Sequence, residues 1–325
     1  PQLRGYQTQN GVSTGKMERI ARKMGIERLS RDRVGAMCRL LDAEVGELAS
    51  RGPGGIEAPY LLLDATYLKR GKDGRVRSAA VAAAIGVGSD GARRMPGIAA
   101  IDTETYAGWL GFPRTLRERG LIGVCLVASD AHAGLVHAIS ECPPGAGWQR
   151  CIARLERDAC SLLASRRHGA MAGKAPRAVF READPATVRS AYRAAIDAVG
   201  AMSARAGAFL EEAEADALAY PDFPAGHRGR IRDNNVQERM NREIKCRSRV
   251  VQVFPSAESM LRLAGAAGAE EDEDWSSRKY ISPESMARLL EPTAPEPAES
   301  EASRKKGLMA VGTAMELADD GRRVV

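Results

Sequence analysis

Three acidic residues of this sequence sit where a carboxylate needs a reason to be. Asp64 interrupts the apolar run Tyr60-Leu-Leu-Leu-Asp-Ala-Thr-Tyr-Leu68, and Asp130 follows a second run, Leu121 to Ala128. Glu238 lies within Asp233-Asn-Asn-Val-Gln-Glu-Arg-Met-Asn-Arg-Glu-Ile-Lys-Cys-Arg-Ser-Arg249. An aspartate inside an apolar strand is expensive to bury unless it is paired or binds a cation. Carboxylates brought together are hard oxygen donors of the kind that Mg²⁺ or Mn²⁺ prefers. A pair of such ions suits in-line attack on a phosphodiester, one activating the nucleophile and the other stabilising the leaving oxygen. Each acid also has a plainer reading. Asp64 could face solvent from an edge strand, Asp130 could cap the next helix, and Glu238 could pair with Arg242 at i,i+4 for about 0.3 kcal/mol.

The elements that would position these acids can be read from the sequence. Tyr60 to Leu68, Arg75 to Val87 and Arg94 to Ile101 read as an antiparallel meander, with Asp73-Gly74 and Ser89-Asp-Gly91 as turns. Thr105 to Arg119 reads as a helix broken or kinked at Pro113, with Trp109, Leu110 and Leu116 on its apolar side. Leu121 to Ala128 reads as a strand buried on both faces. It would place Asp130 at the carboxyl edge of a sheet, a usual site of α/β chemistry. In the Glu238 segment, Asp233 or Asn234 can cap a helix whose apolar stripe is Val236, Met240 and Ile244. Glu238, Arg242, Lys245 and Arg249 then share the opposite face. The wheel sets Glu243 near the apolar stripe, which makes it the runner-up as third acid.

Three strands, a helix, a strand ending in Asp and a late helix carrying Glu follow the order of a ribonuclease H-like fold. The expected fold class is therefore α/β, a ribonuclease H-like core of mixed sheet and flanking helices. The same segments resemble the Mutator-type bacterial insertion-sequence transposases, which carry an Asp-Asp-Glu site. The resemblance is carried by Leu63-Asp-Ala-Thr-Tyr67, Ser129-Asp-Ala-His132, Trp148-Gln-Arg-Cys151, Asn235 to Lys245, Phe254-Pro255 and Arg278-Lys-Tyr-Ile-Ser282. It runs, with gaps, from about Gly11 to Leu290.

The resemblance implies that Asp64, Asp130 and Glu238 are the catalytic carboxylates and ligands of Mg²⁺ or Mn²⁺. It implies that His132 positions a phosphate or the second aspartate. The partners it implies are double-stranded DNA, as terminal inverted repeats and as target, and a further copy of the chain, at least as a dimer on DNA. Arg239, Arg242, Lys245 and Arg249 would lie along that DNA. The activity would be phosphodiester hydrolysis followed by strand transfer, in cut-and-paste or copy-out transposition. The chain departs from the family pattern at Arg154, where a histidine is usual, and at Cys246, where arginine is. Those departures keep two alternatives in view, a transposase-derived DNA-binding protein that no longer cuts and a different ribonuclease H-like nuclease.

The rest of the chain frames this reading. Its 325 residues, with 44% hydrophobic and a formal charge of +6, allow about two domains and permit a polyanionic partner. Six cysteines without a Cys-x-x-Cys pair argue against a zinc knuckle and a disulfide framework, and fit a reducing compartment. With no leading apolar stretch and no apolar run of membrane-spanning length, the expectation is a soluble, cytoplasmic protein, nucleoid-associated when bound and without a membrane partner.

Residues 1–50 read as a helical DNA-binding region of helix-turn-helix outline. Its second helix starts near Ser30, exposes Arg31 and Arg33, and buries Val34, Met37, Cys38, Leu41, Val45 and Leu48. Residues 57–150 and 231–290 would form the two parts of the core. Residues 151–230 would be an all-helical insertion, with Arg166, Arg167 and His168 as candidate DNA contacts and Gly226 to Arg230 as a basic loop. Residues 291–325 read as a Pro- and Glu-rich linker followed by a tail with no interpretable motif.

Overall fold

The computed structural model describes residues 39–43, 45–48, 57–101, 106–141, 143–164, 166–291 and 299–320. The described chain forms two compact units, one within Pro1–Ala146 and Asn234–Pro283, the other within Gly147–Asp233 and Glu284–Val325.

The first unit is built on β1 (Tyr60–Lys72), β2 (Arg75–Val87), β3 (Arg93–Ile101) and β4 (Leu126–Ser129). The hairpin signal at Asp73-Gly74 is realised: Lys72 pairs with Arg75, and the two turn residues have φ of 52° and 70°. Positive φ at both central positions is the conformation that matches the twist of a two-residue hairpin. Strands β1, β2 and β3 form the expected antiparallel meander, and β4 runs parallel to β1 from Tyr60↔Leu126 to Leu63↔Ser129. Within this unit the strand order is β3-β2-β1-β4, so β1 is an interior strand with β2 and β4 on either side; β5 (Gly147–Arg150) belongs to the second unit.

Strand β4 is shorter than the sequence led us to expect. Gly123 has φ of 71°, Ile122 is exposed and only bridges Glu57, and pairing begins at Leu126. An apolar run did not specify strand length here, because a left-handed glycine interrupts the extended backbone.

Helix α1 (Tyr106–Glu118) contains Pro113 and buries Trp109, Leu110, Phe112 and Leu116. Helix α2 (Ala133–Glu141) follows the Asp130 turn and buries Leu135, Ala138 and Ile139.

In the second unit, α3 (Ile152–Ser161), α4 (Arg166–Val179), α5 (Pro185–Met202), α6 (Ala204–Glu212), α7 (Glu214–Ala217) and α8 (Ala225–Ile231) follow one another. Asp184 caps α5 by accepting from the Thr187 amide at 2.9 Å, and the Tyr192 hydroxyl donates to the Leu210 carbonyl at 2.8 Å. The expected basic loop at Gly226 to Arg230 lies within α8, and His227 is buried.

Back in the first unit, α9 (Asn235–Ser248) carries Glu238, and α10 (Ala257–Ser276) opens with a Ser256/Ser259 capping box. The described end of the N-terminal region, residues 39–43 and 45–48, is helical and buries Leu41, Val45 and Leu48. It lies against α10, where Asp42 pairs with Arg262 and a Cβ at Gly265 would meet Val45 at 2.4 Å. Close packing therefore requires the glycine. Arg31, Arg33 and the rest of the helix-turn-helix outline lie outside the described residues. The core of this unit gathers Leu62, Val81, Ile85, Met240, Ile244, Met260, Leu263 and Trp275.

Helix α11 (Pro283–Ala287) and α12 (Glu301–Asp320) belong to the second unit. The tail that carried no signal in the sequence thus includes a long helix packed on α4 and α5. There a Cβ at Gly307 would meet the Ala191 amide nitrogen at 2.6 Å, Lys306 pairs with Glu182, and Val311 is buried.

Candidate active site

Asp64 and Asp130 are neighbours for a simple topological reason. The parallel pairing of β1 and β4 ends at Leu63↔Ser129, and each aspartate is the next residue of its chain. Both stand at the carboxyl edge of the parallel pair, where a sheet leaves room for chemistry. Because β1 is an interior strand, the edge-strand reading of Asp64 is overturned.

Asp64 is half-buried and held in place by two donors. Its Oδ1 accepts from the Ala65 amide at 2.8 Å, and its Oδ2 accepts from Asn241 Nδ2 of α9, also at 2.8 Å. Its carboxyl is pushed up from 3.8 to about 7, first by burial and next by the negative charge of Asp130. The Ala65 bond works against this rise; Glu238 adds to it, and Lys245 opposes it. Asp130, Glu238 and Lys245 therefore all act electrostatically on one carboxylate.

Helix α9 docks on the sheet through amides as much as through apolar groups. Asn234 Nδ2 donates to the Leu63 carbonyl at 3.0 Å, Gln237 Nε2 to the Ala83 carbonyl at 2.6 Å, and Asn241 to Asp64. Ala83 is the β2 residue paired with Asp64, so all three amides grip the sheet around that residue. Gln237 is 0% exposed and Asn234 1%. The side chain of Asn234, expected as a helix cap, makes no capping bond and spans to β1 instead.

The buried side of α9 is Asn234, Gln237, Met240, Asn241, Ile244 and Ser248, with Val236 only partly covered. The sequence reading missed this polar seam by following apolar residues alone. The signal was present, since 234, 237 and 241 fall on one helical stripe beside Met240 and Ile244.

Glu238, in the first turn of α9, is half-buried, while Arg239, Arg242, Lys245 and Arg249 are exposed. Glu243 is committed elsewhere: it accepts from Arg247 Nε at 2.7 Å, and Arg247 also bonds Glu270 at 2.8 Å. His132 is half-buried with its ring 5.9 Å from that of Trp109, and its carbonyl accepts from the Val136 amide at the start of α2. At the two departures from the family pattern, Arg154 is paired with Asp158 on α3, and Cys246 is exposed.

The donor chemistry fits a hard divalent cation. Burial first, and the charges of Asp130 and Glu238 after it, raise the proton affinity of Asp64, and a bound Mg²⁺ or Mn²⁺ would offset that rise. Asn234 Oδ1 and Asn241 Oδ1 are buried without a hydrogen-bond partner, so the surroundings of Asp64 retain unused oxygen acceptors. Among the described residues, no group of three or more acids, histidines or cysteines is placed, as it stands, to hold a metal ion.

An interior strand and its parallel neighbour that present adjacent aspartates, under a helix that presents a glutamate, define an α/β protein with an acidic site at its sheet edge. The family profile described as "Transposase, Mutator family" matches residues 5–278. The transposase for insertion sequence element IS1081 of Mycobacterium tuberculosis is 37% identical over 281 residues, 86% of this chain and 67% of that protein. The transposase for IS406 of Burkholderia multivorans is 35% identical over 271 residues, covering 83% and 69%. The transposase for IS256 in transposon Tn4001 of Staphylococcus aureus is 32% identical over 276 residues, covering 84% and 70%. The chain belongs to the Mutator family of insertion-sequence transposases. No helix among the described residues is long and apolar enough to cross a membrane.

Proposed function

We propose that this protein binds the terminal inverted repeats of its insertion sequence, cuts the DNA there and transfers the freed end, using Asp64, Asp130 and Glu238 as metal-holding carboxylates. The observation that carries the reading is the β1–β4 register, which sets Asp64 beside Asp130, together with the Asn241 bond to Asp64 from the helix that carries Glu238. We read that unit as a ribonuclease H-like core and residues 151–230 as a helical insertion in it. The strand order with a parallel fourth strand, and the helices of residues 152–231, support that reading.

In this mechanism Asp64, Asp130 and Glu238 would hold Mg²⁺ or Mn²⁺, which would supply Lewis acidity and lower the pKa of a bound water. Asn241 keeps the Asp64 carboxylate oriented through its 2.8 Å bond. The α9 amides fix the helix on β1, so that Glu238 is positioned by a rigid element rather than by a loop. Lys245 places positive charge beside the acids. Arg239, Arg242 and Arg249 extend that charge along the exposed side of α9, where phosphates of the bound duplex would lie. His132 would hold a phosphate or steady Asp130. Hydrolysis breaks one phosphodiester bond and leaves a 3′-hydroxyl; that oxygen then attacks a phosphorus of the target strand, and the leaving strand departs with the displaced oxygen. Two DNA ends cut together imply at least a dimer, working in the bacterial cytoplasm on the nucleoid.

The test is direct. Purified protein is incubated with Mg²⁺ or Mn²⁺ and a labelled duplex carrying the source element's end. A nick or break at the element boundary, absent from Asp64→Asn, Asp130→Asn and Glu238→Gln, is the expected result. Full cleavage by any of these variants would remove that residue from the site. Specific binding without metal-dependent cutting would instead favour a transposase-derived DNA-binding protein.

A further inference from the structure

The outer end of the β1–β2 hairpin is built unlike the rest of the sheet. In β2, every residue from Ala79 to Val87 is buried, whereas Arg75, Val76, Arg77 and Ser78 are all exposed. The ribbon therefore runs out past the core. Its register is unbroken from Tyr60↔Val87 to Lys72↔Arg75, with Arg70 opposite Arg77. Side chains alternate along a strand and cross-strand partners share a face. Arg70, Lys72, Arg75 and Arg77 therefore lie on the same face as Asp64, two like-charged pairs directly opposite one another.

Such pairing disfavours a sheet. Arg70 is buried and its charge reaches Glu258, whereas Lys72, Arg75 and Arg77 are exposed. The ribbon is also braced. The Gly71 amide donates to the Phe254 carbonyl at 2.8 Å, and the Phe254 amide donates to the Lys69 carbonyl at 2.8 Å, which holds the β1 edge of the hairpin. A rigid, two-stranded, cationic ribbon matches the phosphate walls of duplex DNA, whose major groove admits a β-ribbon.

From this placement we infer that the outer β1–β2 hairpin is a duplex-binding element, and that Lys72, Arg75 and Arg77, all exposed, grip backbone phosphates. The inference rests on the transposase reading for the choice of duplex, but its central claim concerns binding.

The experiment uses full-length Asp64→Asn protein, so that duplex stays intact, with and without Lys72→Gln, Arg75→Gln and Arg77→Gln together. The slope of log affinity for an element-end duplex against log salt concentration is the readout. Loss of three phosphate contacts should reduce that slope by about 2 to 3, with the circular dichroism spectrum and melting temperature of the parent retained. Methylphosphonates scanned one at a time along the element-end duplex should reveal positions that weaken the parent several-fold and leave the triple variant unaffected. An unchanged slope, or the same methylphosphonate pattern in the triple variant as in the parent, overturns the inference while leaving the transposase reading intact. Failure of the parent itself to bind duplex overturns both.

Discussion

Replacing Asp64 by Asn should make the metal-free protein more stable at pH 8 while abolishing its proposed chemistry. The folded-state carboxyl is raised from 3.8 to about 7. A raised folded-state value means that stability is fully present below pH 3.8 and is lost as pH climbs to about 7, because the unfolded chain ionises first. At about 1.36 kcal/mol per pH unit, the gap corresponds to roughly 4 kcal/mol. Partial exposure of the carboxylate to water reduces this to about 2–4 kcal/mol.

Asparagine removes the titration at small structural cost. Its side-chain oxygen keeps the Ala65 amide bond, and Asn241 can rotate its amide so that the partnerless Oδ1 accepts from the new NH₂. The assay is urea unfolding in chelator from pH 4 to pH 8, followed by tryptophan fluorescence in a Trp148→Phe background, which leaves Trp109 and Trp275, both in the first unit. The stability difference between variant and wild type should open by about 2–4 kcal/mol across that window and stay constant above it. Millimolar Mg²⁺ should then stabilise the wild type and have little effect on the variant. A difference flat with pH, or an Asn variant less stable at pH 8, would refute the picture of a buried carboxylate crowded by like charges.

Other expectations concern the helix that carries Glu238 and its support. Glu238→Gln should reduce element-end cleavage on the order of a thousandfold, the several kcal/mol a lost metal ligand is worth, whereas Glu243→Gln should leave cleavage within a few-fold of wild type; the reverse would move the third acid to Glu243. Gln237→Ala should destabilise the first unit by about 2–4 kcal/mol through a cavity and a lost bond to Ala83. Gln237→Met, which fills the same space and removes the partnerless Oε1, should cost less than about 1.5 kcal/mol by urea unfolding. Gly265→Ala should cost about 1–3 kcal/mol by overpacking against Val45, and a double-mutant cycle with Val45→Ala should recover much of that loss.

The sequence revealed the meander, the Asp73-Gly74 turn and the Asp130 turn because each rests on local rules: strand-length apolar runs, positive-φ turn residues, and a polar residue where a strand gives way to a helix. It also carried one long-range fact in plain sight. Asp64 and Asp130 are separated by the same sequence interval as every β1–β4 pair from Tyr60↔Leu126 to Leu63↔Ser129, but only parallel pairing turns that interval into proximity. What stayed hidden depends on packing partners that lie far away in the chain. Nothing local to Gly123 says that strand pairing must wait for Leu126, and nothing local to Glu301 says that Gly307 will meet the backbone of Ala191.

The amide seam of α9 is the instructive case. Hydrophobic periodicity identified Val236, Met240 and Ile244, yet Asn234 and Gln237 are almost wholly buried because sheet carbonyls wait for their NH₂ groups. A helix held by hydrogen bonds to β1 and β2 around Asp64 has its rotation and register fixed more narrowly than apolar contact alone would fix them. That constraint is what the proposed carboxylate site needs, since there Glu238 would have to return to the same place against Asp64 and Asp130 each time the site is assembled. The polar residues that a hydrophobic reading passes over are therefore the ones that set the geometry of the acids.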